Sequence, residues 1–64
     1  SEELAHIARM PDGSPWANAP VVFQITSGSR RITATLSEPN YAMTLEVRAD
    51  ANGLAKVFLE PLQP

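Results

Sequence analysis

The chain has no cysteine and a single histidine, His6. Disulfides are therefore excluded, and so is a His/Cys zinc site, the usual staples of a small domain. Basic charge is also in short supply: five Lys/Arg stand against seven Asp/Glu, a formal net charge of −2. That balance gives no electrostatic footprint for nucleic acid or an anionic membrane surface. Long apolar runs are missing too, which argues against membrane insertion, and no basic start precedes an apolar stretch as a signal peptide requires. An export signal, if the protein has one, is expected outside these residues. With 64 residues the chain amounts to one small domain, residues 1–64, and a domain of that size buries only about 60% of the surface its unfolded chain exposes. Its stability is expected to be thin, and help from neighbouring chain is expected.

What the sequence does have is alternation. Tyr41, Met43, Leu45, Val47 and Ala49 take every second position, with Ala42, Thr44, Glu46 and Arg48 between them. Period two over this length is the pattern of a half-buried strand. After Asp50-Ala51-Asn52-Gly53, Ala55, Val57 and Leu59 resume the pattern against Lys56 and Glu60. The spacing predicts strands over 41–49 and 54–60, with Met43, Leu45, Val47, Ala55, Val57 and Leu59 on the buried face. Val21, Phe23 and Ile25 predict a third strand, and Ile32, Ala34 and Leu36 a fourth. Residues 1–10 are ambiguous: Leu4, Ile7 and Ala8 have helical spacing, but a helix ending before Pro11 is too short to be stable alone, so a strand is preferred. "PDGSPWANAP", with three prolines and a glycine, reads as a long loop. The expected fold class is all-β, a small sandwich or a barrel fragment.

The chemistry-bearing residues are few. Asp50-Ala51-Asn52-Gly53 reads first as a tight strand connection, because Gly53 and Asn52 tolerate positive φ and the Asp50 carboxylate can accept backbone N–H bonds. The competing reading is a calcium loop, since Asp-x-Asn-Gly resembles the start of an EF-hand loop. Calcium demands more oxygen ligands than follow here before Glu60, so no metal site and no cofactor are expected. His6 has no nucleophile or acid partner in the pattern, and no enzymatic constellation is expected. The binding candidates are Trp16, Arg30, Arg31 and Phe58. Trp16 lies in a polar loop, either as an exposed anchor or, as preferred, folded back as a lid on one end of the sandwich. Arg30-Arg31 could grip a carboxylate or a glycan, or simply form a solvated strand entrance. Phe58, opposite in parity to Val57 and Leu59, is expected to form an outward patch with Leu54 and Val22.

Two segments, "DGSPWANAPVVFQITSG" and "RADANGLAKVFLEP", resemble the bacterial immunoglobulin-like domains of the invasin and intimin type. The likeness is carried by Asp12, Gly13, Pro15, Val21, Phe23 and Gly28 in the first, and by Asp50, Asn52, Gly53, Ala55, Val57 and Leu59 in the second. Arg48-Ala49 stands where a threonine is usual, and Trp16 is uncommon at its place. Macroglobulin-type and transthyretin-like sandwich modules share the same turn-plus-alternation grammar. The resemblance implies an Ig-like β-sandwich without catalytic residues, acting as a structural spacer or an adhesive domain of a bacterial surface or secreted protein, located extracellularly or at the cell surface. Its partners would be neighbouring domains, other copies of the chain, or a protein or glycan ligand. A carbohydrate- or peptide-binding accessory domain of a secreted enzyme is the alternative. Domains of this type continue past the last matched strand into one more, so the sandwich is expected to be incomplete here, with the final strand missing. Pro61 and Pro64 cannot supply that cover, because proline has no N–H to donate to a ladder.

Overall fold

A computed structural model describes residues 1–62 of the chain; Pro64 lies outside the described residues. The described residues form five strands and no helix: β1 (Glu2–Ile7), β2 (Pro20–Gln24), β3 (Arg30–Thr33), β4 (Thr44–Arg48) and β5 (Leu54–Pro61). They make two antiparallel sheets, a three-stranded one in the order β1-β5-β3 and a two-stranded one of β2 and β4. The all-β, sandwich-like expectation stands, and residues 2–7 are a strand rather than a helix.

Alternation explains how the sheets face one another. On β5, Ala55, Val57 and Leu59 are buried while Lys56 is exposed. Val57 and Leu59, with Ile32 of β3, pack against Phe23, Ile25, Leu45 and Val47 from the other sheet. A second cluster of small residues, Ala8, Ala19, Ala49 and Ala55, closes one end and is flanked by Val21, Phe23 and Val47. Phe23 and Val47 thus belong to both clusters. At about 25 cal/mol per Å² of apolar area removed from water, these few side chains are the main favourable contribution to a modest core.

The turn Asp50–Gly53 does join β4 to β5, but the two strands do not pair with each other. β4 pairs with β2, and β5 with β1 and β3. The turn is therefore an arch between sheets instead of a hairpin within one. The opposite crossing is made by an extended stretch that changes sheets. Ala42 exchanges both backbone hydrogen bonds with Ile32, at 2.9 Å each, and the next carbonyl, of Met43, accepts from Ile25 N–H at 2.8 Å. From there the chain continues as β4 along β2.

That crossing corrects two expectations. Met43 is not a core residue: it is 44% exposed, because it lies at the point where the chain leaves one sheet for the other, before β4 begins at Thr44. The strand expected through Leu36 stops at Thr33, and Ala34 and Leu36 are exposed. Thr33 ends it. Its side chain is fully buried, its Oγ1 donates to Thr35 O at 3.2 Å and accepts from Asn40 N–H at 3.0 Å, and so it holds the 34–40 loop to the sheet instead of letting the ladder run on.

Candidate interaction surface

Arg9 to Trp16 form a compact loop at the end of the sandwich nearest the Asp50–Gly53 arch. Arg9 and Pro15 form an isolated antiparallel bridge. Met10 N–H donates to Ser14 O at 2.8 Å, and Gly13 N–H to Met10 O at 2.9 Å. The turn between them is set by Asp12, whose Oδ1 accepts from Ser14 N–H at 2.9 Å and from Ser14 Oγ at 2.6 Å. Those bonds favour the charged carboxylate, the hydroxyl bond first, and hold the Asp12 pKa below the ordinary aspartate value. Arg9 Nη1 caps the tip by donating to Gly13 O at 3.0 Å.

The loop is pinned to the arch through backbone. Ala8 N–H donates to Gly53 O at 2.7 Å, and Ala8 O accepts from Trp16 N–H at 2.9 Å. Gly53, at φ 80°, has no room for a side chain: a Cβ there would lie 2.5 Å from Ala8 O and 3.2 Å from Trp16 N. The arch itself is closed by Asp50, whose Oδ1 accepts from Asn52 N–H at 2.8 Å and from Leu54 N–H at 3.0 Å. The carboxylate is thus committed to the turn, as its spacing suggested.

On this base sits an open, mainly apolar groove lined by Arg9, Met10, Pro11 and Trp16. Trp16 is 44% exposed and Met10 43%. Trp16 therefore does not fold away as a lid; it forms one wall of the groove. Sequence reading singled out Trp16 and missed its three companions. The signal available for them was the turn "MPDG" ahead of "SPW", which folds residue 10 back towards residue 16.

The other three candidate residues lie elsewhere. Trp16 is bonded beside Gly53, just before β5, whereas Arg30 pairs in register with Pro61 at the far end of β5. Arg30 Nη1 forms an exposed ion pair with Glu2 Oε1 at 3.1 Å. Arg31, opposite Glu60, is half-buried with its guanidinium carbon 3.8 Å from the centroid of the Tyr41 ring, a cation–π stack, and its buried Nε has no hydrogen-bond partner among the described residues. Phe58 is half-buried on the outward face between Glu3 and Thr33, and Lys56 Nζ lies 6.0 Å from its ring. Val22 cannot join it, because it points outward from the other sheet, on the opposite side of the sandwich. The four candidates do not form one site.

No group of three or more His, Cys, Asp or Glu able to hold a metal ion is present among the described residues, and no helix there is long and apolar enough to cross a membrane. No family model matches the chain, and neither a curated protein nor a solved structure matches it.

Proposed function

We propose that this chain is a non-enzymatic Ig-like module, of the kind its two segments resemble, serving as a spacer or an adhesive domain in a bacterial surface or secreted protein outside the cell. The observation that carries the reading is how the polar chemistry is spent. Asp50 closes the arch, Asp12 closes its own turn, Arg30 pairs with Glu2 and Arg31 stacks on Tyr41. Two of the exposed large apolar side chains, Met10 and Trp16, by contrast, line one groove on a loop fixed by backbone bonds. A rigid apolar groove with a single cationic group at its edge suits contact with a neighbouring domain or a protein or glycan ligand.

The alternative, a carbohydrate- or peptide-binding accessory domain of a secreted enzyme, is favoured by one feature, an exposed Trp16 and a cationic Arg9 lining the same groove. The test serves both readings. The domain is titrated with the domains that flank it in its parent protein and with a glycan panel, while the Trp16 fluorescence is followed. Saturable binding lost in Trp16→Ala supports the module reading: a flanking domain as partner indicates the spacer or adhesive role, and a glycan the accessory role. Indifference of every partner to Trp16→Ala, together with turnover of any hydrolase substrate, overturns it.

A further inference from the structure

We propose that β1 is a homotypic docking edge, pairing antiparallel with β1 of a second copy so that the two three-stranded sheets run on as one. This extends the interaction reading above to a different surface, and the two fail separately, since the groove plays no part in the pairing.

The argument starts from what β1 leaves open. It is the outer strand of its sheet, and all six of its residues are exposed. Its register places Glu2, Leu4 and His6 opposite Leu59, Val57 and Ala55, which are the inward residues of β5. Yet Val57 is fully buried and Leu4, directly across from it, is 38% exposed. The β2–β4 layer therefore stops short of β1, and an inward-facing row of Glu2, Leu4 and His6 is left uncovered. Backbone groups are open as well. Ala8 N–H points to β5, where it donates to Gly53 O. Alternation then turns the N–H and C=O of His6, Leu4 and Glu2 towards β5, and those of Ile7, Ala5 and Glu3 towards the free edge.

A second copy fits this edge in a two-fold register centred on Leu4. Strand pairing keeps inward residues opposite inward residues, so Leu4 meets Leu4 of the second copy, and Glu2 of each copy meets His6 of the other. Glu3 of each copy exchanges its N–H and C=O with Ala5 of the other, groups that have no partner among the described residues. The interface is isologous and each favourable contact occurs twice. Glu2 keeps its contact with Arg30, because a carboxylate has acceptor capacity for both partners. Cross-strand apolar pairs, and pairs that set a carboxylate acceptor against an imidazole N–H donor, are stabilising units of a sheet.

The remaining edges are less suited. The free edge of β2 carries Pro20, which has no N–H to give. An antiparallel pairing of β4 with itself about its centre would set Glu46 against Glu46 of the second copy, a like-charge pair. Among the described strands β1 combines open backbone groups, an uncovered apolar residue and a self-complementary pairing of carboxylate with imidazole. Edges of this kind are either guarded or used; β1 has no proline or lysine, and of its two carboxylates Glu2 is already engaged with Arg30 while Glu3 lies on the outward face.

Sedimentation equilibrium of the chain from about 10 µM to about 1 mM, which samples dissociation constants over about two decades, tests the proposal. The expected result is a reversible monomer–dimer equilibrium. Ala5→Pro should abolish it while leaving the monomer spectrum intact, because the lost N–H faces the free edge. His6→Glu should weaken association about tenfold, roughly the size of one like-charge cross-strand pair counted twice, and the swapped double variant Glu2→His/His6→Glu should restore it. In a mixture of differently labelled copies, intermolecular contacts between Leu4 methyl groups should appear. A monomer throughout the range overturns the proposal, as does a dimer indifferent to both Ala5→Pro and the charge variants, which would place the contact on another surface. Should Ala5→Pro fail to fold, the His6→Glu and swapped variants decide alone, and absence of rescue by the swap overturns it.

Discussion

The two ends of the sandwich are held by different means. At the arch end, main chain meets main chain: Gly53, Ala8 and Trp16 are joined by N–H to carbonyl bonds, and the surrounding core residues are alanines, Ala8, Ala19, Ala49 and Ala55. At the other end larger side chains fill the interior, Ile32, Val57 and Leu59, and the 34–40 loop is fastened by one hydroxyl, that of Thr33. The difference shows two solutions to the same shortage of apolar material. Where residues are small, backbones approach closely and hydrogen bonds fix the geometry; where residues are large, dispersion and burial hold the layers while the loop hangs from a single polar side chain. A substitution should therefore fail for different reasons at the two ends.

The largest effect is expected at Val47, which packs in both clusters and so links the two ends. Val47→Asp sets a carboxylate against both from a half-buried position and should unfold a domain this small, although the loss stays below the roughly 3–5 kcal/mol of a fully buried unpaired charge. The neighbouring Arg48→Ala, which removes only an exposed bond to Asn18 O, should move the thermal midpoint little. Equal tolerance at the two positions would break the assignment of faces along β4.

Next comes a pair of glycines with similar backbone and different surroundings. Gly53 and Gly28 have φ of 80° and 90°, but a Cβ at Gly28 meets nothing within 4 Å. Gly28→Ala should cost about 1–2 kcal/mol, the strain of left-handed backbone alone. Gly53→Ala adds a collision with the Ala8 carbonyl and should cost well beyond that, with the Trp16 environment changing at the same time. Chemical denaturation of both variants measures the difference, which isolates how closely the arch and the loop approach.

Smaller again are the polar fasteners. Asp50→Ala leaves Asn52 N–H and Leu54 N–H without their acceptor, and Thr33→Val does the same to Asn40 N–H; each should cost about 1–2 kcal/mol. Asp50→Asn, which keeps an acceptor oxygen, should recover most of the loss at the arch. Calcium and chelator should give the same melting curve for the parent chain, since the Asp50 oxygen is already engaged by the backbone; a shift of several degrees abolished by Asp50→Ala would overturn that.

The smallest effect concerns acid. Asp12 is depressed by its Ser14 bonds, so its contribution to folding is complete above the unfolded-state aspartate pKa and is lost as pH falls through the lower folded-state value. The group is exposed and its effect on stability slight. Carboxyl NMR titration should place Asp12 below its ordinary value, and Ser14→Ala should return it towards that value.

The strands were largely legible, because Leu45, Val47, Ala55, Val57 and Leu59 alternate without a break and a one-residue slip would turn all of them outward. Which strand pairs with which was not. Turn chemistry at Asp50–Gly53 specifies a reversal of the chain, and the same residues serve a hairpin or an arch; the choice is made by distant residues such as Ile7, which pairs with Leu54. Met43 and Leu36 misled for a related reason. Their parity is right, but parity carries no information about where a chain leaves a sheet. At the candidate surface, Trp16 stood out as an aromatic in a polar loop, whereas Met10 became its neighbour through the Arg9–Pro15 bridge, and Arg31 met Tyr41 across a loop that no local pattern announces.

The stretch that leaves one sheet at Ala42 and enters the other at Met43 bears on how the domain comes apart. Two consecutive residues hold opposite layers, so the loss of one layer withdraws support from the other. Unfolding should then be a single cooperative event even in so small a chain. In native-state hydrogen exchange, the amides of Ile32, bonded to Ala42 O, and Ile25, bonded to Met43 O, should open together and with the same free energy, although they belong to different sheets.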